Sequence, residues 1–337
     1  MEKINIAVIG TGHLGKIHCN LLATNELANF VGVYDSVADI AKSVADEHSV
    51  QCFETLQDAI NACDAVLIVV PTIYHYETAK QCIEAVKHCF IEKPLVQFYS
   101  EALQLQALHA KHSELKIQVG HIERFNPALQ PVLQHIGNPM FIEAHRLSQF
   151  RPRATDVSVI HDLMIHDIDL VQWLVKSDIS HIEANGVSVI TDTIDIANAR
   201  LTFANGAVAN ITASRISAKP MRKLRLFQRY GYISVDLANA KLEVFRLAND
   251  GEQHPNAIPA SMLGAIDGLD SSVSIIYEQP EIPQVNAMAE EQMSFIRSII
   301  DRTDTAVNIA EGSVAVKVAE EITNMIGSDM RVENTRK

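Results

Sequence analysis

The chain lacks the features that would set it apart from ordinary globular proteins. Its 337 residues contain no apolar run approaching the length, about 20 residues, that crosses a bilayer. Its N-terminus enters a strand at once, without a basic segment leading into an apolar leader. A membrane partner is not expected, and the expected compartment is the cytoplasm. Cysteine is scarce: five residues, an odd number, with no C-x-x-C pair, for which reduced cysteines in a cytoplasmic protein are the plain reading. Positive charge is in deficit, with 28 Lys and Arg against 41 Asp and Glu and a net charge of −13, so a nucleic-acid partner is not expected. Repeats and low-complexity tracts are absent too. What remains is 47% apolar and 20% charged residues, a globular composition long enough for two domains.

The most informative stretch is Gly10-Thr11-Gly12-His13-Leu14-Gly15, a G-x-G-x-x-G directly after the apolar run Ile4 to Ile9 and before a helix-compatible stretch from Leu14 to Leu22. Gly10 allows a tight turn, Gly12 lets backbone approach a pyrophosphate, and Gly15 lets the helix pack close to the strand. The helix N-terminus then offers N–H groups and a positive dipole end to phosphate. Asp35 lies 20 residues after Gly15, at the end of a second apolar run from Phe30 to Tyr34, where a carboxylate accepts from ribose hydroxyls. Ser36 follows it rather than Arg, which favours NAD over NADP, whose 2′-phosphate would meet that carboxylate without a cation beside it.

Strands and helices alternate to about residue 120. Helices are expected over Val37–His48, Leu56–Asn61, Glu77–Lys87 and Ser100–His112, and strands over Val50–Phe53, Ala65–Val70, Cys89–Ile91 and Lys116–Val119. Continuous apolar strands between helices predict an α/β fold, a Rossmann doubly wound parallel sheet over 1–120 covered on both faces. Ligands in such sheets bind beyond the carboxyl ends of the strands, where Pro71, Glu92 to Pro94 and Gly120 lie. From 121 to 337 the pattern predicts an α+β domain with a large, mostly antiparallel open sheet. It has strand-like stretches at 139–150 and 180–250, a hairpin turn at Ala204-Asn205-Gly206-Ala207 and one helix from Asp162 to Val175. Residues 250–285 read as loops with short strands, and helices Ala287–Ile300 and Ala310–Ile326 close the chain and are candidates to pack back on the first domain.

Three groups of residues can carry chemistry. Lys93, in Glu92-Lys93-Pro94, is held extended by the following proline; it is either a surface lysine after a strand or, in a desolvated cleft, an acid or base near neutrality. Asp162 and His166 are four apart and share a helix face, either as part of an amphipathic structural helix or as a carboxylate orienting a proton-transferring imidazole. A metal is not expected: His161, Asp162, His166 and Asp169 do not have H-E-x-x-H spacing, and no cysteine cluster supports them. Arg146, Arg151 and Arg153 precede that helix, and Arg124 lies in Gly120-His121-Ile122-Glu123-Arg124-Phe125-Asn126-Pro127; these are solvated loop residues or guanidinium forks for carboxylate or phosphate.

Together these motifs resemble the glucose–fructose oxidoreductase/inositol dehydrogenase/MocA family, over nearly the whole chain. The resemblance rests on the glycine loop, Pro71-Thr72-Ile73-Tyr74-His75, Glu92-Lys93-Pro94, Gly120 and Asp162-x-x-x-His166-x-x-Asp169. Thr72 stands where many members have Asn. The resemblance implies an NAD-dependent oxidoreductase in which Lys93 and His166 handle the substrate hydroxyl proton and Asp162 orients or binds. It also implies cofactor contacts from Gly10, Thr11, Gly12, His13, Leu14, Gly15, Asp35, Pro71, Thr72, His75, Glu92 and Lys93. The Gly120–Pro127 stretch, Arg151-Pro152-Arg153 and Asp156 to Asp162 are similar to the branch of UDP-N-acetylglucosamine 3-dehydrogenases. That likeness implies a nucleotide-sugar substrate bound by Arg124, Arg151, Arg153 and His166. A free polyol or aldose is the alternative substrate, and a non-catalytic regulator binding NAD or a sugar the alternative role. The resemblance further implies a homodimer or homotetramer paired through the open sheet face.

Overall fold

The computed structural model describes residues 3–150, 157–248, 252–253, 255–259 and 274–334, with backbone alone at 258–259 and 328–334. The chain divides into two units, Met1–Phe125 with Val285–Glu320, and Asn126–Gln284 with Glu321–Lys337. The division near 120 is therefore followed by a return: Val285–Glu320 joins the first unit.

The first unit runs β1 (Ile4–Ile9), α1 (His13–Ala23), β2 (Ala28–Tyr34), α2 (Ala38–His48), β3 (Gln51–Cys52), α3 (Leu56–Asn61), β4 (Ala65–Ile68), α4 (His75–Glu84), β5 (His88–Glu92), α5 (Tyr99–His109) and β6 (Ile117–Gly120). The strands form one parallel sheet in the order β3-β2-β1-β4-β5-β6. The order reverses between β1 and β4, which leaves a crevice at their carboxyl ends. Helices on both faces explain the unbroken apolar runs: Ile6 to Ile9 and Ala65 to Ile68 are all at most 1% exposed.

The second unit has the predicted open sheet, of nine strands: β7 (Phe141–Leu147), then after α6 (Ile165–Val175) β8 (Ile179–Val187), β9 (Ile196–Phe203), β10 (Val208–Ser214), β11 (Met221–Gln228), β12 (Gly231–Asp236), β13 (Lys241–Leu247), β14 (Ala257–Pro259) and β15 (Ser274–Glu278). The order is β14-β15-β13-β12-β11-β7-β10-β9-β8, antiparallel throughout except for the parallel pair β7 and β10. The hairpin β9–β10 turns through Asn205 and Gly206, the latter at φ +87°, a conformation glycine adopts without steric cost. Residues alternate strictly between faces. Ile142, Ala144, Leu224, Leu226, Ile233 and Val235 are fully buried on one face, and α6 packs against β7 and β10. The other face carries a row of half-buried rings, Phe141, Phe227, Tyr232, Phe245 and Tyr277, with successive centroids 5.7, 4.9, 5.6 and 4.7 Å apart.

The stretch from Asp162 to Val175 is not a uniform α-helix: Ile160–Met164 forms a wider π turn, and the α-helix begins at Ile165. The wider turn buries Val159, Ile160, Met164 and Ile165 together, all with no exposure, and such turns occur often at functional sites.

Two helices close the chain, α7 (Ala287–Ile300) and α8 (Ile309–Asn334), the second longer than its periodicity predicts. The Asn286 side chain caps α7 by accepting from the Met288 and Ala289 N–H groups. Phe295 and Ile296 of α7 enter the core of the first unit, Phe295 meeting the Phe90 ring edge-on at 5.9 Å. Burying each contributes about 1.5–3 kcal/mol.

Candidate functional site

The glycine loop divides its labour as its spacing predicts. Gly10 has φ +94°, and a Cβ there would lie 2.6 Å from the Val69 carbonyl oxygen. A Cβ on Gly15 would lie 2.0 Å from the Gly10 carbonyl oxygen, so this glycine lets α1 close onto the strand end. A Cβ on Gly12 would meet nothing within 4 Å: the space before it is open, and Gly12 has no side chain to cap α1, so the first N–H groups stay available to an anion.

That open space is a cavity of about 820 Å³ at the β1/β4 switch point. Its wall includes Gly10, Gly12, His13, Leu14, Asp35, Pro71, Thr72, His75, Glu92 and Lys93, all expected at the cofactor. Both oxygens of Asp35 are fixed: Oδ2 accepts from the Thr11 N–H at 2.7 Å and the Thr11 hydroxyl at 3.1 Å, and Oδ1 from the Val37 N–H at 2.9 Å. Thr11 is fully buried and so holds Asp35 rather than lining the cavity. Each oxygen keeps lone-pair capacity for a ribose hydroxyl. A cavity of this size, a glycine backbone open to it at Gly12 and an oriented carboxylate together fit a dinucleotide.

His75 departs from a simple contact role. It is 1% exposed, and its ring nitrogens lie 2.8 Å from the Pro94 carbonyl oxygen and 2.9 Å from that of Val70. It ties the turn after β4 to the carbonyl of Pro94, the residue that follows the cis Lys93–Pro94 bond. Burial lowers its pKa, an effect the two carbonyls and Glu92 only partly offset.

The arginines sort by position. Arg124 is buried, and its Nη1 donates to Glu311 Oε1 at 2.9 Å and to the Ala306 carbonyl at 3.1 Å. Its Nη1 is thus partnered inside the first unit. Arg146 makes a two-pronged pair with Asp167, 2.8 and 2.9 Å, with both side chains buried. It anchors α6 to β7. Arg151 and Arg153 lie outside the described residues.

In the second unit Asp162 is half-buried in the π turn and His166 half-buried in the first turn of α6. His161 Nδ1 lies 3.1 Å from the Ser158 hydroxyl. Asp169, the last residue of the motif, is 1% exposed. Near this segment Asp195 accepts from the N–H groups of Val189, Ile190 and Thr191 at 2.7–2.9 Å. Its burial opposes ionisation, but those donors prevail and bring its pKa down to about 2.

Residues 4–121 match the family described as oxidoreductase family, NAD-binding Rossmann fold, and residues 134–234 match the GFO/IDH/MocA C-terminal domain. A UDP-N-acetylglucosamine 3-dehydrogenase of Acidithiobacillus ferrooxidans is 39% identical over 246 residues, 73% of this chain and 78% of that protein. The chain belongs to the GFO/IDH/MocA oxidoreductase family. A solved structure of the Acidithiobacillus dehydrogenase superposes with a TM-score of 0.86 over 97% of this chain and 99% of that one, at 31% identity. The scyllo-inositol 2-dehydrogenase (NAD(+)) of Bacillus subtilis is 28% identical over 238 residues, 64% of this chain and 68% of that protein.

Within this family fold the sequence reading overlooks two residues behind the Glu92-Lys93-Pro94 turn. His18, on the buried stripe Gly15, His18, Cys19 and Leu22 of α1, has its Nε2 2.9 Å from Glu92 Oε1. Gln292 of α7 donates to His18 Nδ1 at 2.8 Å. A histidine at an apolar position of α1 was the available signal.

Proposed function

We propose that this oxidoreductase is an NAD-dependent dehydrogenase that oxidises the 3-hydroxyl of a UDP-N-acetylglucosamine-type nucleotide sugar to a ketone. The observation that carries the reading is the 39% identity to a UDP-N-acetylglucosamine 3-dehydrogenase, together with a superposition reaching 97% of the chain. NAD is favoured over NADP because the Asp35 carboxylate, fixed by Thr11 and Val37 at the cavity wall, repels a 2′-phosphate, and Ser36 supplies no cation.

NAD, when bound, accepts the hydride that leaves the carbinol carbon. The hydroxyl proton leaves as the C=O bond forms, and Lys93 and His166 take it up and pass it on, with Asp162 orienting His166 or the sugar. Arg151 and Arg153 bind the diphosphate on a chain of net charge −13. The protein works in the cytoplasm, in keeping with its five free cysteines. It assembles as a homo-oligomer through the aromatic face of the nine-stranded sheet.

The test is NADH formation with purified protein and UDP-N-acetylglucosamine, free N-acetylglucosamine, glucose or myo-inositol, each product analysed by mass. Loss of two hydrogens from the UDP-sugar alone supports the reading. Oxidation of a free sugar moves it to the polyol reading, which the likeness to scyllo-inositol 2-dehydrogenase favours. Silence on all four with NAD bound contradicts it and leaves a regulator. Lys93→Ala is expected to abolish turnover while NAD affinity changes little.

A further inference from the structure

The turn that carries Lys93 is held by a buried polar chain that takes no part in the transfer of the hydride or the hydroxyl proton. Glu92 is only 7% exposed and its two oxygens face opposite ways: Oε2 accepts the Lys93 backbone N–H at 3.1 Å, and Oε1 lies 2.9 Å from His18 Nε2. The His18 ring has no exposure and rests on the Phe90 ring at 5.4 Å. Gln292 Nε2 lies 2.8 Å from His18 Nδ1 and 3.1 Å from the His18 carbonyl oxygen. Only a donor satisfies both of those acceptors, so Nδ1 carries no proton and Nε2–H points at Glu92. Gly120, paired with Glu92 across β5 and β6, completes the arrangement: a Cβ there would lie 3.1 Å from the Glu92 Cδ and Oε2. The space for the carboxylate is built into the sheet.

An apolar pair would fill this position at lower desolvation cost than a carboxylate and an imidazole. The polar chain has a geometric product instead. It fixes the peptide N–H of Lys93, while His75 fixes the carbonyl of Pro94 from the other side. It also ties that turn to α1, whose N-terminus opens on the cavity.

We propose that His18, with its tautomer set by Gln292, is a positioning residue for Lys93, acting through Glu92. The proposal rests on the role given to Lys93 above. Asn at position 18 reaches only as far as Nδ1 and loses the donor to Glu92, whereas Gln reaches as far as Nε2 and keeps it. His18→Asn is expected to lower kcat about tenfold or more, the scale of losing one hydrogen bond to a charged group, with the Kd for NAD within about threefold. His18→Gln is expected to recover most of that loss. In a Glu92→Gln background, His18→Asn is expected to cost nothing further, because its route to Lys93 is already cut.

A second readout does not need a substrate. Amide hydrogen exchange of the peptide containing Lys93 is expected to accelerate in His18→Asn and to return toward wild type in His18→Gln, at matched overall stability. Unchanged exchange and unchanged kcat in His18→Asn would overturn the proposal. So would losses that add in the double variant, or a loss of kcat matched by a loss of NAD affinity. If wild-type protein oxidises no sugar, the functional reading fails, and the exchange result still decides whether His18 positions the turn.

Discussion

Asp35 is a charged group with its direction set by its neighbours rather than by the cofactor. Three hydrogen bonds from Thr11 and Val37 hold it at the cavity wall before any ribose arrives, so little ordering is left to be done on binding. Asp35→Ala is expected to weaken NAD about tenfold, the worth of a hydrogen bond to a charged group, and to narrow the preference over NADP. Titration calorimetry with both cofactors checks this; equal affinities in the wild type would contradict the assignment. At this scale the sequence is legible where function lies within a short stretch. The glycine loop and Asp35 are identifiable from spacing because they lie within one strand–helix–strand passage, whereas spacing alone leaves Lys93 open and only the likeness to the family singles it out. The pairings of Arg124 with Glu311 and of Gln292 with His18 span separations of 187 and 274 residues. No local pattern reports them, so neither the Glu311 partner of Arg124 nor the Gln292 partner of His18 is visible from the residues around it.

Elements show the same contrast. The parallel sheet follows from apolar runs between helices, and the hairpin from Asn205-Gly206, because these signals are local. The π turn at Ile160–Met164 does not, because its period differs from that of the helix it leads into by less than one residue per turn and only tertiary burial selects it. Gly15 is the clearest element-scale constraint. Gly15→Ala drives a Cβ into the Gly10 carbonyl and is expected to cost about 3 kcal/mol, read as a lower urea midpoint. Histidines set a pH dependence. Burial lowers the pKa of both His75 and His88, and neutral His88 accepts the Lys116 N–H at 2.9 Å. Below the ordinary value of 6.5 the unfolded chain takes up protons that the fold refuses, so stability is complete above that pH and falls as the pH drops through it. Urea unfolding at about pH 7.5 and about pH 5.5 should show this loss. His88→Asn keeps an acceptor for Lys116 and should reduce the slope; an unchanged slope would remove His88 from the account.

On the scale of the whole molecule, the nine-stranded sheet matters most after the cofactor fold. One face is sealed by its own core, while the other displays five aromatic rings in a row across β7, β11, β12, β13 and β15. A row of half-buried rings of this kind suits an interaction face, and the homo-oligomer proposed above would seat a second copy on it. Sedimentation should give a dimer or tetramer, and Phe245→Glu should shift it toward monomer; a wild-type monomer would contradict the assembly. Among the described residues no helix is long and apolar enough to cross a membrane.

The most direct measurement uses UDP-N-acetylglucosamine carrying deuterium at carbon 3 of the sugar. The account predicts that incubation with NAD moves the deuterium to the nicotinamide and leaves a ketone at that carbon. Retention of deuterium in an unoxidised sugar, under conditions where NAD binds, would contradict it.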